Sequence, residues 1–249
     1  MIQQKLMRER DRQPIPNTTY GKPQYTAVKD DRQRIELSRG CPHNCDFCYE
    51  PEAKSMEEVK QFSIPELKRN YVEILDMNFL WQPNVLERIK ELSQKKVNGK
   101  VVHYEEICGF DRRLMNQEIC DALKEARFQK PRIAWDGSFK EQKQVKKTVQ
   151  MLKKAGYQSN IIMLFMIVNW KIPYEECLRK LDLMKVWGVQ VADCCYDGGY
   201  ANAVEEYWTV SEIREIRRKC RKHNQLVNFG IDPEEFDIPD TQEKLKGED

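Results

Sequence analysis

The stretch Arg34-Ile35-Glu36-Leu37-Ser38-Arg39-Gly40-Cys41-Pro42-His43-Asn44-Cys45-Asp46-Phe47-Cys48-Tyr49 decides how the rest of the chain is read. Residues 34–38 alternate polar and apolar side chains, the pattern of a short strand. Gly40 and Pro42 then break the strand. Three cysteines follow within eight residues, on what reads as a turn-like loop.

Moving outward, short apolar runs alternate with helical stretches. Strands are expected at 34–38, 71–76, 101–108, 131–136, 160–168 and 189–195. Helix signals lie between them. Ser63-Ile64-Pro65-Glu66 reads as a capping box opening a short helix. Asn84 to Lys96 follows Pro83, and Asn116 caps 117–127. Ser138 to Glu141 is a second capping box, opening a helix closed by Gly156. Pro173 starts a helix closed by Gly188, and Thr209 to Glu212 opens the last one, 210–225. Six strands each followed by a helix imply an α/β fold with a parallel sheet. The apolar run Ile161–Val168 suits a strand covered on both faces. A (β/α)6 partial TIM barrel over residues 34–226 fits this rhythm. Residues 1–33 form an N-terminal extension without periodicity, and 227–249 an acidic C-terminal tail.

Composition bounds the setting. The chain has 249 residues, 40% hydrophobic and 33% charged, enough for one large domain with a well-solvated exterior. No apolar run reaches the length of a membrane span. The N-terminus lacks an apolar signal core, so its nine cysteines point to a reducing cytoplasm rather than a disulfide framework. The net charge of +2 is unevenly spread. Lys140 to Lys154 carries six lysines against one acid, and Glu212 to Lys222 is also basic. Such helix faces can attract nucleic acid, although solvated outer helices would look the same.

The cysteines carry the chemistry. In parallel α/β folds ligands bind at the carboxyl ends of the strands, where residues 34–38 deliver Cys41, Cys45 and Cys48. Three thiolates can hold three irons of a [4Fe–4S] cube and leave the fourth open for chemistry. With His43 they can instead form a Cys3His zinc site. The spacing Cys-x3-Cys-x2-Cys, the aromatic Phe47 before the third cysteine and the preceding strand resemble the radical S-adenosylmethionine (radical SAM) superfamily. The resemblance implies a partial barrel, a [4Fe–4S] cluster on Cys41, Cys45 and Cys48, and SAM chelating the open iron. It also implies an electron donor such as flavodoxin or ferredoxin. One-electron cleavage of SAM would then give a 5′-deoxyadenosyl radical. By the same resemblance Phe47, Tyr49, Asp76, Asn78, Asp136 and Asn169 are cofactor-binding candidates. Many members carry Gly-Gly-Glu on the second strand where this chain has Asp76-Met77-Asn78-Phe79.

Cys120, Cys177 and Cys220 fall at inward helix positions and read as packing. Cys108, Cys194 and Cys195 fall at strand ends, where they could donate a hydrogen atom to a radical, ligate a second cluster, or do neither. They are the only catalytic candidates. Tyr196-Asp197-Gly198-Gly199-Tyr200 could line a substrate opening. Nucleic acid, peptide and small molecule all stay open as substrates, as does a non-catalytic zinc or iron–sulfur binding module.

Overall fold

The structure is a computed structural model that describes residues 23–43, 45, 47, 48, 50, 52–196 and 207–230. Tyr49, the segment 197–200 and the acidic tail from 231 lie outside the described residues.

Strand β1 (Thr26–Val28) pairs antiparallel with β2 (Gln33–Ile35), so the end of the extension adds an edge strand the sequence pattern did not announce. Beyond β2, β3 (Ser38–Arg39) pairs antiparallel with β4 (Lys60–Gln61). Then come β5 (Tyr71–Ile74), α1 (Val85–Gln94), the small pair β6 (Lys96–Val97) and β7 (Lys100–Val101), and β8 (His103–Glu106). Helix α2 (Gln117–Glu125) leads to β9 (Arg132–Ala134), α3 (Gln142–Lys154) to β10 (Met163–Val168), and α4 (Tyr174–Trp187) to β11 (Gln190–Cys195). Helix α5 (Val210–Phe229) follows.

Strands β2, β5 and β8 are parallel neighbours, as are β9, β10 and β11. One bridge, Phe110 to Ile133, joins the two sheets, with the Phe110 N–H donating to the Arg132 carbonyl at 2.7 Å. Six parallel strands thus stand in chain order. Among the described residues no pairing returns from β11 to β1 or β2, so the array is an open one and no closed barrel is formed. At the junction Gly109 has φ +91°, and a Cβ there would lie 2.6 Å from the Phe165 ring. Only glycine lets the strand turn while that ring packs against it.

The expected strands recur with ends trimmed by a few residues. Four helices follow their sequence signals closely. The Asn116 side chain accepts the Ile119 N–H at 2.8 Å, and Thr209 with Glu212 completes a capping box. Gly188, at φ 66°, closes α4. Apolar faces seal these helices onto the sheet: Ile89, Leu92, Leu123, Val145, Leu152 and Met184 are all essentially inaccessible. Full burial of each such side chain contributes about 1.5–3 kcal/mol. Cys120, Cys177 and Cys220 lie among them, as their register predicted.

Three expectations fail. No helix forms at Ser63–Glu66. The segment stays extended because Pro65 disfavours helical geometry at Ile64 and other partners take its backbone groups. Gln24 Nε2 donates to the Ser63 carbonyl (2.7 Å), Gln33 Nε2 donates to the Glu66 carbonyl (3.0 Å), and the Lys68 N–H donates to Gln33 Oε1 (2.7 Å). The first crossover therefore lacks an α-helix. The capping box at Ser138 is only half made: Ser138 accepts from Lys140, while Glu141 turns to Arg112 at 2.7 Å and the first turn is 3-10. Strand β10 is not covered on both faces, since Met163 and Phe165 are half-buried.

The face of the array opposite α1 is also more polar than a doubly covered sheet. Arg34 pairs with Glu73 at 2.6 Å, Arg32 bonds the other Glu73 oxygen, and Glu105 accepts from both Tyr71 and Arg132. Burial pushes Glu73 upward, but Arg32 and Arg34 outweigh it and hold the carboxyl below its ordinary range. No described helix is long and apolar enough to cross a membrane.

Candidate cluster-binding site

The cysteine loop leaves β3 and returns at β4, so the antiparallel pair pinches its base. The Ala53 N–H donates to the Cys41 carbonyl at 2.9 Å, and Glu50 Oε1 accepts the Gly40 N–H at 2.6 Å. A turn closed by the Cys48 N–H on the Cys45 carbonyl (3.0 Å) brings the last two cysteines together. All three are half-buried and none is in a disulfide. Two receive N–H···S hydrogen bonds: Asn78 Nδ2 donates to Cys41 Sγ at 3.3 Å, and the Glu50 N–H to Cys48 Sγ at 3.4 Å. Burial pushes the Cys45 thiol up to about 11, with Cys48 and Cys41 adding to the effect. Among the described residues, no three His, Cys, Asp or Glu side chains are drawn into a chelate for a single metal ion.

The end of β5 supports the loop from below. Asp76 is fully buried and accepts the Leu37 N–H (2.7 Å) and the Ser38 hydroxyl (2.6 Å). Burial pushes its carboxyl up to about 7, against these two bonds. Trp81 Nε1 donates to the Ala53 carbonyl at 3.1 Å. Asn78 lies between these ties, and its Oδ1 is buried with no hydrogen-bond partner. Asp76 is thus committed to the strand before the loop, while Asn78 reaches the loop's first sulfur.

The end of β8 holds the loop from the side. His43 Nε2 is 2.7 Å from Asp111 Oδ2, and Arg113 grips the same carboxylate at 2.7 Å. Burial pushes Asp111 upward, yet the Arg113 bonds and charge outweigh it and keep its carboxyl below the usual range. This triad was missed from the sequence. The signal was present in Gly109-Phe110-Asp111, which follows a strand at the same rim.

Phe47 reaches further across. Its ring meets Trp170 edge-on at 5.8 Å, and Trp170 packs on Tyr196 (4.2 Å) and Tyr207 (5.4 Å). A residue of the first loop therefore touches the aromatic cluster after β10. Asn169, just before Trp170, sits at φ 56° and accepts the N–H groups of Tyr207 (3.4 Å) and Trp208 (3.2 Å). Its oxygen anchors the entry to α5.

Asp136 stands half-buried at the end of β9. Burial pushes its carboxyl up to about 6, against Lys180 and Arg112. Lys180, fully buried on α4, donates to the carbonyls of Trp135 (3.3 Å) and Gly137 (2.5 Å), the residues flanking Asp136. Cys108 is half-buried with its Sγ 3.7 Å from the Leu75 carbonyl. Cys194 is exposed at the end of β11, and Cys195 is half-buried beside it. Asp193 turns away from the strand ends toward Arg217 of α5, at 3.5 Å.

The loop thus offers three thiols at one strand end, the residue type that holds iron–sulfur clusters, two of them accepting N–H···S bonds, with the unpartnered Asn78 oxygen near the first sulfur.

No family model and no curated protein matches the sequence. Among solved structures, the chain is similar to TsrM of Kitasatospora setae, a radical S-adenosylmethionine methyltransferase determined with cobalamin and a [4Fe–4S] cluster bound. Identity is 13% and the TM-score 0.49, over 65% of this chain and 36% of that one. The match thus spans about a third of the length of that protein.

Proposed function

We propose that the chain is a radical SAM enzyme in which Cys41, Cys45 and Cys48 hold a [4Fe–4S] cluster and SAM binds at the same strand ends. The observation that carries this reading is the Cys-x3-Cys-x2-Cys spacing on a loop pinned at the carboxyl end of the first of six parallel strands. The chemistry the cluster supplies when bound is one-electron reductive cleavage of SAM, whose deoxyadenosyl product takes a hydrogen atom from a substrate. The electron comes from a donor such as a flavodoxin or ferredoxin.

The chain's own residues divide the remaining work. Asn78 donates to Cys41 Sγ and offers a buried, unpartnered oxygen, which suits an ammonium group such as that of SAM. Asp76 holds Leu37 and Ser38 in place, and so acts through the loop rather than on the cofactor. His43, Asp111 and Arg113 fix the loop against β8. Phe47 seals the loop onto Trp170 and keeps water from that side. Asp136, with its backbone clamped by Lys180, supplies a carboxylate for hydroxyl groups. Asn169 orients the approach to α5. Cys108, Cys194 and Cys195 are the thiols available for hydrogen-atom transfer, and Cys194 is the most accessible. A curved partial barrel would bring their strand ends around one mouth.

Anaerobic reconstitution tests the reading. About four irons with matching sulfide per chain, and release of 5′-deoxyadenosine only with reductant, are expected. About one zinc and no sulfide would make the chain a non-catalytic metal module instead. A fully loaded, reduced protein that leaves SAM intact would overturn the proposal.

A further inference from the structure

The five described helices differ sharply in charge. Helix α1 carries two acids and two bases, α2 three acids and one lysine, and α4 three of each. Helix α3 carries five lysines and no acid, and Lys140 in the turn before it adds a sixth. Lys140, Lys143, Lys146, Lys147, Lys153 and Lys154 are all exposed. No ion pair engages any of them among the described residues, whereas Lys95, just past α1, pairs with Glu91 at 3.0 Å, and on α5, with six cations against two acids, Lys219 pairs with Glu215 at 3.3 Å and Arg217 with Asp193 at 3.5 Å. Of the carboxylates near the start of α3, Glu141 is held by Arg112 at 2.7 Å and Glu176 accepts the Phe139 N–H.

Stability does not call for this arrangement. Lysines at the amino end of a helix oppose its dipole, yet Lys143, Lys146 and Lys147 lie in the first two turns. The apolar face of α3 (Val145, Val149, Leu152) is buried in the core. None of the exposed large hydrophobic side chains lies on α3, so the helix has no free apolar face for a lipid surface. What remains is a ridge of lysines with the neutral Gln144 and Gln150 among them and no acid. Lys143 to Lys154 span about 16 Å along the axis, which matches about five phosphates along one strand of a duplex.

We propose that the solvent face of α3, extended by Lys140, is a docking surface for the phosphate backbone of nucleic acid. Charge complementarity supplies the affinity, with no base readout. The amino end of α3 lies at the carboxyl end of β9, beside Asp136, so a strand tracking the ridge is led toward the strand ends that carry the cysteine loop. The proposal stands on the surface alone and does not depend on the cluster.

The test is fluorescence anisotropy of the full chain with a labelled single-stranded RNA and a labelled duplex DNA of about 20 nucleotides or base pairs, between about 50 and 200 mM salt. The expected logarithmic salt slope for the single strand is about −3 to −4, at about 0.7 per lysine contact. The pair Lys146→Gln and Lys147→Gln should shallow it by about 1.4 and weaken low-salt binding about tenfold. Lys90→Gln on α1, equally exposed, should leave both unchanged. Three results would overturn the proposal. The first is no retention of either probe at the lowest salt. The second is retention with the same slope and affinity in the α3 variant, since binding would then lie elsewhere. The third is α3-dependent binding to phosphatidylserine vesicles with none to the nucleic acids.

Discussion

The crossover from β2 to β5 and the four that follow it join neighbouring parallel strands by opposite means. The later four use amphipathic helices whose caps and apolar faces are local. The first has no α-helix among its described residues, only a 3-10 turn at Met56–Glu58. It is held by side chains reaching across 30 residues or more: Asp76 to Leu37 and Ser38, Gln33 to Glu66 and Lys68, Asn78 to Cys41. A helix would satisfy its own backbone and face outward. An extended crossover leaves backbone groups and sulfur atoms to be met by distant partners, and that freedom lets three cysteines stand at a strand end.

The comparison can be broken most severely at the cysteines. Cys45→Ala should lower reconstituted iron from about four per chain and abolish 5′-deoxyadenosine release, while thermal unfolding of the metal-free protein hardly moves. Iron analysis beside a melting curve reads both, and full iron retention would remove Cys45 from the ligand set.

Asp76 comes next. Asp76→Ala strips two buried hydrogen bonds from a charged acceptor and should cost about 3 kcal/mol in urea unfolding. Its pH dependence has a definite sign. The folded carboxyl lies at about 7 against an ordinary 3.8, so the folded chain holds that proton more tightly. The stability it contributes is present in full below about pH 4 and is lost as pH rises toward 7, on the order of 4 kcal/mol. Asp76→Asn should flatten that part of the stability profile; an unchanged profile would place the titration elsewhere.

Gln33→Ala tests the crossover without an α-helix directly, because one side chain serves two backbone groups. A loss of about 1–2 kcal/mol is expected, with weakened hydrogen-exchange protection at Lys68. The smallest effect contrasts two capping signals. Asn116→Ala should cost about 1 kcal/mol, whereas Ser63→Ala should stay within about 0.5 kcal/mol, since Ser63 caps nothing. Equal losses would mean that the Ser63 signal does form a helix turn in solution.

Much of this contrast was legible in advance. Asn116, Thr209 with Glu212, and Gly188 act within a turn of their own position, so their meaning survived folding. The strands at 71–74, 163–168 and 190–195 announced themselves by apolar content and spacing. Ser63 to Glu66 carries an equally good local signal, but Gln24, just before β1, and Gln33 on β2 take its backbone groups instead. Asp111 was passed over because its partners, His43 on another loop and Arg113 two residues on, only meet once β2 and β8 lie in one array. Trp170 and Phe47 are likewise 123 positions apart in the chain.

By itself the sequence determined the α/β order and most helix ends, and it supplied the cysteine spacing on which the proposed site rests, because periodicity, caps and spacing act over a few residues. Only the tertiary structure decided that the described part of the first crossover has no α-helix, that Asp76 holds the strand before the loop, and that Asn78 touches Cys41. Those outcomes rest on buried groups finding partners across the sheet, and such partners carry no signature in the residues around them.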